Sequence, residues 1–164
     1  MSAVLVVDDV RVNRLMLVKG LAPLPAIEAE DAAEALRLFF EQQPAVVILD
    51  LGLPEVDGVT LLRIIRQHDR RLGQETPVIV VSGEGTREHV VELARLGIHG
   101  FFVKPVNPAK LAEKVRELWP GAREDEEEEE GEEAEEEGEE EAADEDSEDE
   151  DGEEGAEEEE AAAE

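Results

Sequence analysis

Short apolar runs alternate with helical patterns along the first 120 residues, and this alternation limits the fold more than any other feature. The runs at 3–7, 45–49, 77–81 and 100–103 are apolar at nearly every position and too short for ordinary helices. Strands that are apolar throughout are typical of parallel sheets with both faces covered. A weaker run lies at 26–29. The sequence therefore predicts an α/β fold in which five parallel strands alternate with helices.

The segments between these runs carry helical spacing and helix-end signals. Asp31 is a predicted N-cap with Glu34 as its capping-box partner, and Asn107 is a predicted cap of the last helix. Gly97 suits the left-handed position after a helix. Because Pro23 and Pro25 crowd the short stretch before residue 26, we expect the second strand to be poor. The predicted helices lie near 10–19, 32–43, 59–67, 84–96 and 108–119.

Acidic residues are concentrated at the C-terminal end of the chain. Residues 123–164 hold 29 of the 46 Asp and Glu residues and one basic residue, Arg123. Residues 1–122 hold 17 acidic and 14 basic residues. A segment with such like charge and few large aliphatic side chains does not form a core, although its Glu and Ala content leaves a helix as the alternative. We therefore predict a folded domain at 1–121 and a disordered polyacidic tail at 122–164.

Composition argues against several classes of function. Phosphate-backbone binding needs clustered Lys and Arg, and the chain offers only one small basic patch, which we interpret as a solvated face, so no direct nucleic-acid binding is expected. The chain has no Cys, which removes thiol nucleophiles and thiolate metal sites. Neither a signal peptide nor a membrane-spanning apolar stretch is readable, so we expect a cytoplasmic protein without membrane insertion. The patch comprises Arg63, Arg66, Arg70 and Arg71.

Reactive polar residues stand at the ends of four predicted strands. These residues are the Asp8–Asp9 pair, Asp50, Ser82 and Lys104. Ligands bind open parallel sheets outside the carboxyl ends of the strands, so these side chains are expected to share one crevice. Three neighbouring carboxylates favour a hard cation such as Mg²⁺. A lysine and a hydroxyl opposite them would hold phosphoryl oxygens, which points to phosphoryl transfer onto an Asp.

At these positions the sequence resembles the receiver domain of bacterial two-component response regulators, over about residues 1–120. The resemblance lies in four segments: 6–9 (Val-Val-Asp-Asp) with Asn13, 48–58 from Ile48 through Asp50 and Pro54 to Gly58, 80–83 (Val-Val-Ser-Gly), and 100–105 (Gly-Phe-Phe-Val-Lys-Pro). It implies a flavodoxin-like doubly wound sheet with strand order 2-1-3-4-5.

The resemblance also implies a role for each residue of the crevice. Asp50 would be the phospho-acceptor, and Lys104 and Ser82 would hold the phosphoryl group. Asp9, Asp50 and the Gly52 carbonyl would ligate Mg²⁺ directly, and Asp8 would act through water. Phe101 would be the aromatic residue that switches with phosphorylation. The peptide bond before Pro105 would be cis.

We therefore interpret the chain as a response regulator with no enzymatic activity beyond its own phosphorylation and dephosphorylation. A histidine kinase or histidine phosphotransfer protein would be the phosphodonor. Output would pass to an unknown protein through the face formed by the fourth helix, fifth strand and fifth helix, with phosphorylation-dependent homodimerisation left open. Two alternatives remain at this point: a scaffold whose acidic tail binds a basic partner or cations, and a Mg²⁺-dependent phosphohydrolase with an Asp nucleophile.

Overall fold

A computed structural model of the protein describes residues 2–122. The acidic tail that was predicted to be disordered lies, from Arg123 onward, outside the described residues. Ala122 is fully buried against the same core as Trp119. No helix of the described part of the chain is long and apolar enough to cross a membrane.

The five predicted strands form one parallel sheet with the order β2-β1-β3-β4-β5, as the resemblance implies. The strands and helices alternate without exception, which confirms the α/β class. Two of the predicted strands extend one residue further, so Asp50 and Ser82 are the last residues of strands rather than the first residues after them. The strands are β1 Val4–Val7, β2 Ala26–Ala29, β3 Val46–Asp50, β4 Val78–Ser82 and β5 Gly100–Val103.

Five helices connect and follow the strands, and most of their predicted ends hold. The Asp31 carboxylate accepts from the Glu34 N–H at 2.8 Å, and Asn107 caps the last helix through two backbone N–H groups. Gly97 adopts a left-handed conformation directly after its helix. The helices are α1 Arg11–Leu21, α2 Ala32–Gln42, α3 Gly58–Leu72, α4 Arg87–Leu96 and α5 Pro108–Leu118.

Each face of the sheet has its own apolar core. On one face, side chains such as Leu5 and Leu49 pack with residues of α2, α3 and α4. On the other face, Val6 and Ile48 pack with residues of α1 and α5. All residues of β1, β3 and β4 are buried, as strands covered by helices on both faces must be. This rigid sheet fixes the positions of the residues at its carboxyl edge.

The expectation of a poor second strand was wrong. All four residues of β2 pair in register with β1, from Val4 with Ala26 to Val7 with Ala29. The two prolines precede the strand and therefore do not remove any of its ladder hydrogen bonds. Instead, the Pro25 carbonyl accepts from the Val4 N–H at 2.9 Å.

Two helix boundaries also differ from the prediction. Helix α3 continues to Leu72 instead of ending near residue 67, because Asp69 is buried and Gly73 supplies the left-handed end. Helix α4 begins at Arg87 rather than at residue 84. The Thr86 hydroxyl, directly before Arg87, caps the helix by accepting from the His89 N–H.

The prediction that Arg66 belongs to a solvated basic patch was also wrong. The Arg66 side chain is only 7% exposed, and its guanidinium lies 2.8 Å from the Asp69 carboxylate. It also donates to the backbone carbonyls of residues 76, 96 and 97. Asp69 in turn accepts from the backbone N–H and the hydroxyl of Thr76. This buried network joins α3 to the end of α4 and to the loop before β4.

Removing Arg66 should destabilise the domain strongly. In Arg66→Met, Asp69 stays buried without its cation and three carbonyls lose a donor, so the free energy of unfolding should fall by about 3–5 kcal/mol. Urea unfolding followed by circular dichroism measures this loss. The matched control is Arg70→Met on the exposed side of the same helix, which should change stability by less than about 0.5 kcal/mol. Equal stability of the two variants would contradict the assigned role of the network.

Candidate functional site

The sheet topology brings the predicted crevice residues to one edge. Asp8 and Asp9 follow β1, Asp50 ends β3, Ser82 ends β4 and Lys104 follows β5. The central strands β1 and β3 are neighbours in register, so their carboxyl ends lie side by side. Connections leave these two strands toward opposite sides of the sheet, and that divergence opens the crevice in doubly wound folds.

Three carboxylates lie close together in this crevice. One oxygen each from Asp8, Asp9 and Asp50 lies within 4.8 Å of the others. Asp8 and Asp50 are buried, at 1% and 6% exposure, whereas Asp9 is exposed. Carboxylate oxygens that close repel one another unless a cation joins them. The donor set consists of hard oxygens with one side open to solvent, which fits Mg²⁺ with part of its water shell.

Lys104 places a cation directly against two of these carboxylates. Its Nζ lies 2.8 Å from Asp50 Oδ2 and 3.2 Å from Asp8 Oδ2. Burial opposes the charged ammonium, but the hydrogen bonds and charges of Asp50 and Asp8 outweigh it, so the pKa of Lys104 is raised. Lys104 therefore remains protonated and can neutralise an anion that enters the crevice.

The buried Asp8 carboxylate has a raised pKa. Burial is the main cause, and the charge of Asp50 adds to it. The Val10 N–H, which donates to Asp8 Oδ1 at 2.8 Å, and the Lys104 ammonium act in the opposite direction. Ionisation of Asp8 is therefore less favourable in the folded domain without metal than in the unfolded chain.

The loop after β3 holds the Asp50 carboxylate from the other side. The Gly52 N–H donates to Asp50 Oδ1 at 3.1 Å. Gly58 closes the loop by donating its N–H to the Leu51 carbonyl at 3.0 Å. A Cβ at residue 58 would lie 2.5 Å from the Asp50 carbonyl oxygen, so only glycine fits there. Backbone crowding around Asp50 thus explains Gly58, whereas Asp57 caps α3 by accepting from the Thr60 N–H.

Ser82 lies at the β4 end of the crevice, and Phe101 lies on the neighbouring strand β5, two residues before its end. Ser82 is buried, and its hydroxyl accepts from the Glu84 N–H at 3.2 Å. Phe101 is partly buried and packs against the core on the α3–α4 face. The loop before α4 passes close to the Phe101 ring: a Cβ on Gly85 would lie 3.6 Å from Phe101 Cε1. The Lys104–Pro105 peptide bond is cis.

An apolar cavity of about 440 Å³ opens beside the crevice, between α1 and the start of α5. Met16, Leu17 and Val106 line its wall, and Asp8 and Lys104 lie at its polar end. Helix α1 exposes Val12, Leu15 and Met16 nearby, at 63%, 46% and 55% exposure. Spacings of three and four residues place these side chains on one face of the helix. The sequence shows the apolar positions of α1 but does not predict that they are exposed.

Comparisons with known proteins agree with this architecture. A family model described as "Response regulator receiver domain" matches residues 4–116. The chemotaxis protein CheY of Pseudomonas aeruginosa is 31% identical over 119 residues, which are 71% of this chain and 94% of that protein. The chemotaxis protein CheY of Bacillus subtilis is 33% identical over 116 residues, which are 68% of this chain and 92% of that protein.

A solved structure is similar in fold as well as in sequence. The CheX–CheY–BeF₃–Mg²⁺ complex from Borrelia burgdorferi matches with a TM-score of 0.65 and 28% identity, over 72% of this chain and 89% of that chain. The similarity thus extends over nearly the whole length of each of these relatives.

Replacing Asp8 should stabilise the domain when metal is absent. Because the folded pKa of Asp8 lies above its unfolded value of about 3.8, the cost of its charge appears as pH rises through that interval. Asp8→Asn should therefore melt at a higher temperature than wild type at pH 7, and this gain should vanish below pH 3.8. Calorimetry in chelator and in Mg²⁺ should also show a smaller metal-induced stabilisation in the variant.

The control for this measurement is Asp31→Asn, which keeps an N-cap acceptor on α2 and lies outside the cluster. Its melting temperature should match wild type at both pH values. A lower melting temperature of Asp8→Asn at pH 7 in chelator would show that the carboxylate is not strained in the metal-free fold.

Proposed function

The chain belongs to the response regulator receiver family of two-component signalling proteins, and on that premise we propose that Asp50 is its phospho-acceptor. The observation that carries the proposal is the Asp50 carboxylate at the centre of the crevice, with Lys104 at 2.8 Å and two further acids beside it. A nucleophilic carboxylate, a fixed cation and a divalent-cation site are what phosphoryl transfer to Asp requires.

In the proposed reaction, a carboxylate oxygen of Asp50 attacks the phosphorus of a phosphohistidine in line with the P–N bond. The new O–P bond forms while the P–N bond breaks, and the imidazole leaves with the electron pair and takes a proton from solvent. Lys104 would hold phosphoryl oxygens as charge moves toward Asp50. Asp9, Asp50 and the Gly52 carbonyl would hold Mg²⁺, with Asp8 acting through water, and the ion would supply further neutralisation of phosphoryl charge.

Ser82 and Phe101 are proposed to transmit phosphorylation to a partner. A phosphoryl group on Asp50 would draw the Ser82 hydroxyl away from the Glu84 N–H and so disturb the loop before α4. Phe101, against which this loop packs, would change its position with it. The output surface would then be the face of α4, β5 and α5, used by a downstream protein or by a second copy of the chain.

The two alternative functions, a phosphohydrolase and a scaffold, make different predictions. A phosphohydrolase with an Asp nucleophile usually needs a second acid two residues further on, and this chain has Gly52 there. A scaffold that acts through its acidic tail would bind its partner equally well after substitution of Asp50. Residues 123–164, with their 29 acidic residues, are proposed to accelerate encounter with basic partners in a cytoplasmic setting.

Asp50→Asn should abolish phosphorylation. Incubation of wild type with acetyl phosphate and Mg²⁺ should add one phosphoryl group that is stable in acid and labile in base, as intact-mass spectrometry can show. The asparagine side chain lacks the anionic oxygen that attacks phosphorus, so the variant should gain no such group. Asp57→Asn is the control, because Asp57 is an exposed N-cap outside the cluster and should leave the gain unchanged. A normal gain in Asp50→Asn would identify another acceptor.

The exposed apolar face of α1 is proposed as the docking surface for the phosphodonor. It lies beside the cavity that reaches Asp8 and Lys104, so a donor seated there would bring its phosphohistidine to the crevice. Helix α4 also exposes an apolar side chain, Val91. We assign the donor to α1 because Met16 lines the cavity that leads to the site.

Met16→Gln should therefore slow transfer from a phosphorylated histidine phosphotransfer protein that serves wild type. Loss of apolar burial worth about 1 kcal/mol corresponds to a fall of roughly fivefold in the transfer rate at low donor concentration. The rate with acetyl phosphate, which needs no docking, should stay within about twofold of wild type. Val91→Gln is the control for an exposed apolar side chain elsewhere. Equal slowing by both substitutions would remove α1 as the specific surface.

A further inference from the structure

Arg14 connects three elements beneath the acidic cluster. It lies on the first turns of α1, and its side chain is only 11% exposed. Its NH1 group donates to the backbone carbonyl of Asp8 at 2.7 Å. Its Nε donates to the Glu28 carboxylate on β2 at 3.3 Å. One guanidinium therefore ties the residue after β1 to the edge strand of the sheet.

We propose that Arg14 is a positioning residue that fixes the backbone of Asp8 and Asp9 so that their carboxylates face the cation site. This inference rests on the proposed function, because it assigns Arg14 a role in the Mg²⁺ binding of that site. Arg14 makes its contact with a carbonyl rather than with a carboxylate of the cluster. It would therefore act on the metal through the backbone.

The contacts of Asp8 show why one more donor matters. Its N–H donates to the Ala29 carbonyl at 3.2 Å, and its two carboxylate oxygens accept from Val10 N–H and from Lys104. The carbonyl is its remaining polar group, and Arg14 binds it. Asp8 is only 1% exposed. Without Arg14, its buried carbonyl would lose the hydrogen-bond donor that α1 supplies. The peptide that links Asp8 to Asp9 would then rotate more freely.

Asp9 depends on this peptide for its placement. It is exposed, unlike Asp8 and Asp50, so burial does not restrict its rotamers. The backbone on either side of it is held, by Arg14 at the Asp8 carbonyl and by Asp8 Oδ1 at the Val10 N–H. The Val10 side chain offers no cap to α1. Asp9 thus lies between two fixed points, and Arg14 supplies one of them.

The planar fork of Arg14 is the feature that the role needs. Two of its N–H groups point in fixed directions, one to the Asp8 carbonyl and one to Glu28. A lysine keeps the charge but offers one flexible nitrogen. A pure charge effect predicts the opposite pattern, because removal of a cation near a Mg²⁺ site strengthens Mg²⁺ binding. Charge and positioning are therefore separable by substitution.

The test is a Mg²⁺ titration of the full chain, followed through the backbone amide resonances of Asp9, Val10 and Gly52. Shifts of these resonances report Mg²⁺ binding in the crevice and are insensitive to cations that the acidic C-terminal residues attract. Arg14→Lys and Arg14→Met should both raise the dissociation constant by about tenfold or more, which is the size expected for loss of a ligand-orienting partner. Glu28→Gln, which keeps Arg14 but weakens its anchor, should raise the constant less.

Two controls separate positioning from general effects. Arg11→Met removes an exposed charge from the first residue of α1 and should leave the dissociation constant within about twofold. Asp31→Ala removes the N-cap of α2 and lowers the melting temperature without touching the crevice, so its constant should also match wild type.

The outcomes distinguish positioning by Arg14 from a charge effect and from a loss of stability. Unchanged affinity in Arg14→Lys together with tighter binding in Arg14→Met would overturn the proposal in favour of a charge effect. Weakening of the same size in Asp31→Ala would overturn it in favour of lost stability. Should the Arg14 variants fail to fold, an unchanged constant in Glu28→Gln would overturn it. Absence of Mg²⁺ shifts in wild type would instead refute the proposed function itself.

Discussion

The crevice at the carboxyl edge of the sheet is defined by the confinement of Asp8, Asp50 and Lys104 in a small volume. Two buried carboxylates within hydrogen-bond distance of one ammonium leave an excess of negative charge once Asp9 is added. The backbone offers partial relief through the N–H groups of Val10 and Gly52. The remaining negative charge favours a cation, and that cation together with Lys104 would neutralise the anionic phosphoryl group of the proposed reaction. The site is thus unfavourable when metal-free and poised to bind.

The sheet holds these residues in place. Strands β1, β3 and β4 are buried at every residue, so the crevice residues extend from a rigid edge rather than from mobile loops. Strand β5 is less deeply buried, since all of its residues remain at least partly exposed. Phe101 lies on this strand, next to the strand that ends at Ser82. From there Phe101 would respond to the chemistry at the ends of β1 and β3.

Much of this architecture could be predicted from the sequence, because it depends on local patterns. Apolar runs defined the strands, helix-end signals such as Asp31 and Gly97 defined several boundaries, and the polar residues at strand ends defined the crevice. What escaped prediction depends on distant partners. Arg66 and Asp69 are indistinguishable in sequence from an exposed pair on a helix, and their burial follows from carbonyls that the chain brings in from residues 76, 96 and 97. Arg14 escaped for the same reason, since it lies on α1 and its partner Glu28 lies on β2.

The most direct measurement is a crystal structure of the chain grown with Mg²⁺ and beryllofluoride, a mimic of the phosphoryl group. We predict beryllium bonded to a carboxylate oxygen of Asp50, fluorine atoms within hydrogen-bond distance of Lys104 Nζ and Ser82 Oγ, and Mg²⁺ on Asp9, Asp50 and the Gly52 carbonyl. Beryllofluoride bonded to a different carboxylate, or Mg²⁺ held away from Asp9 and Asp50, would contradict this prediction.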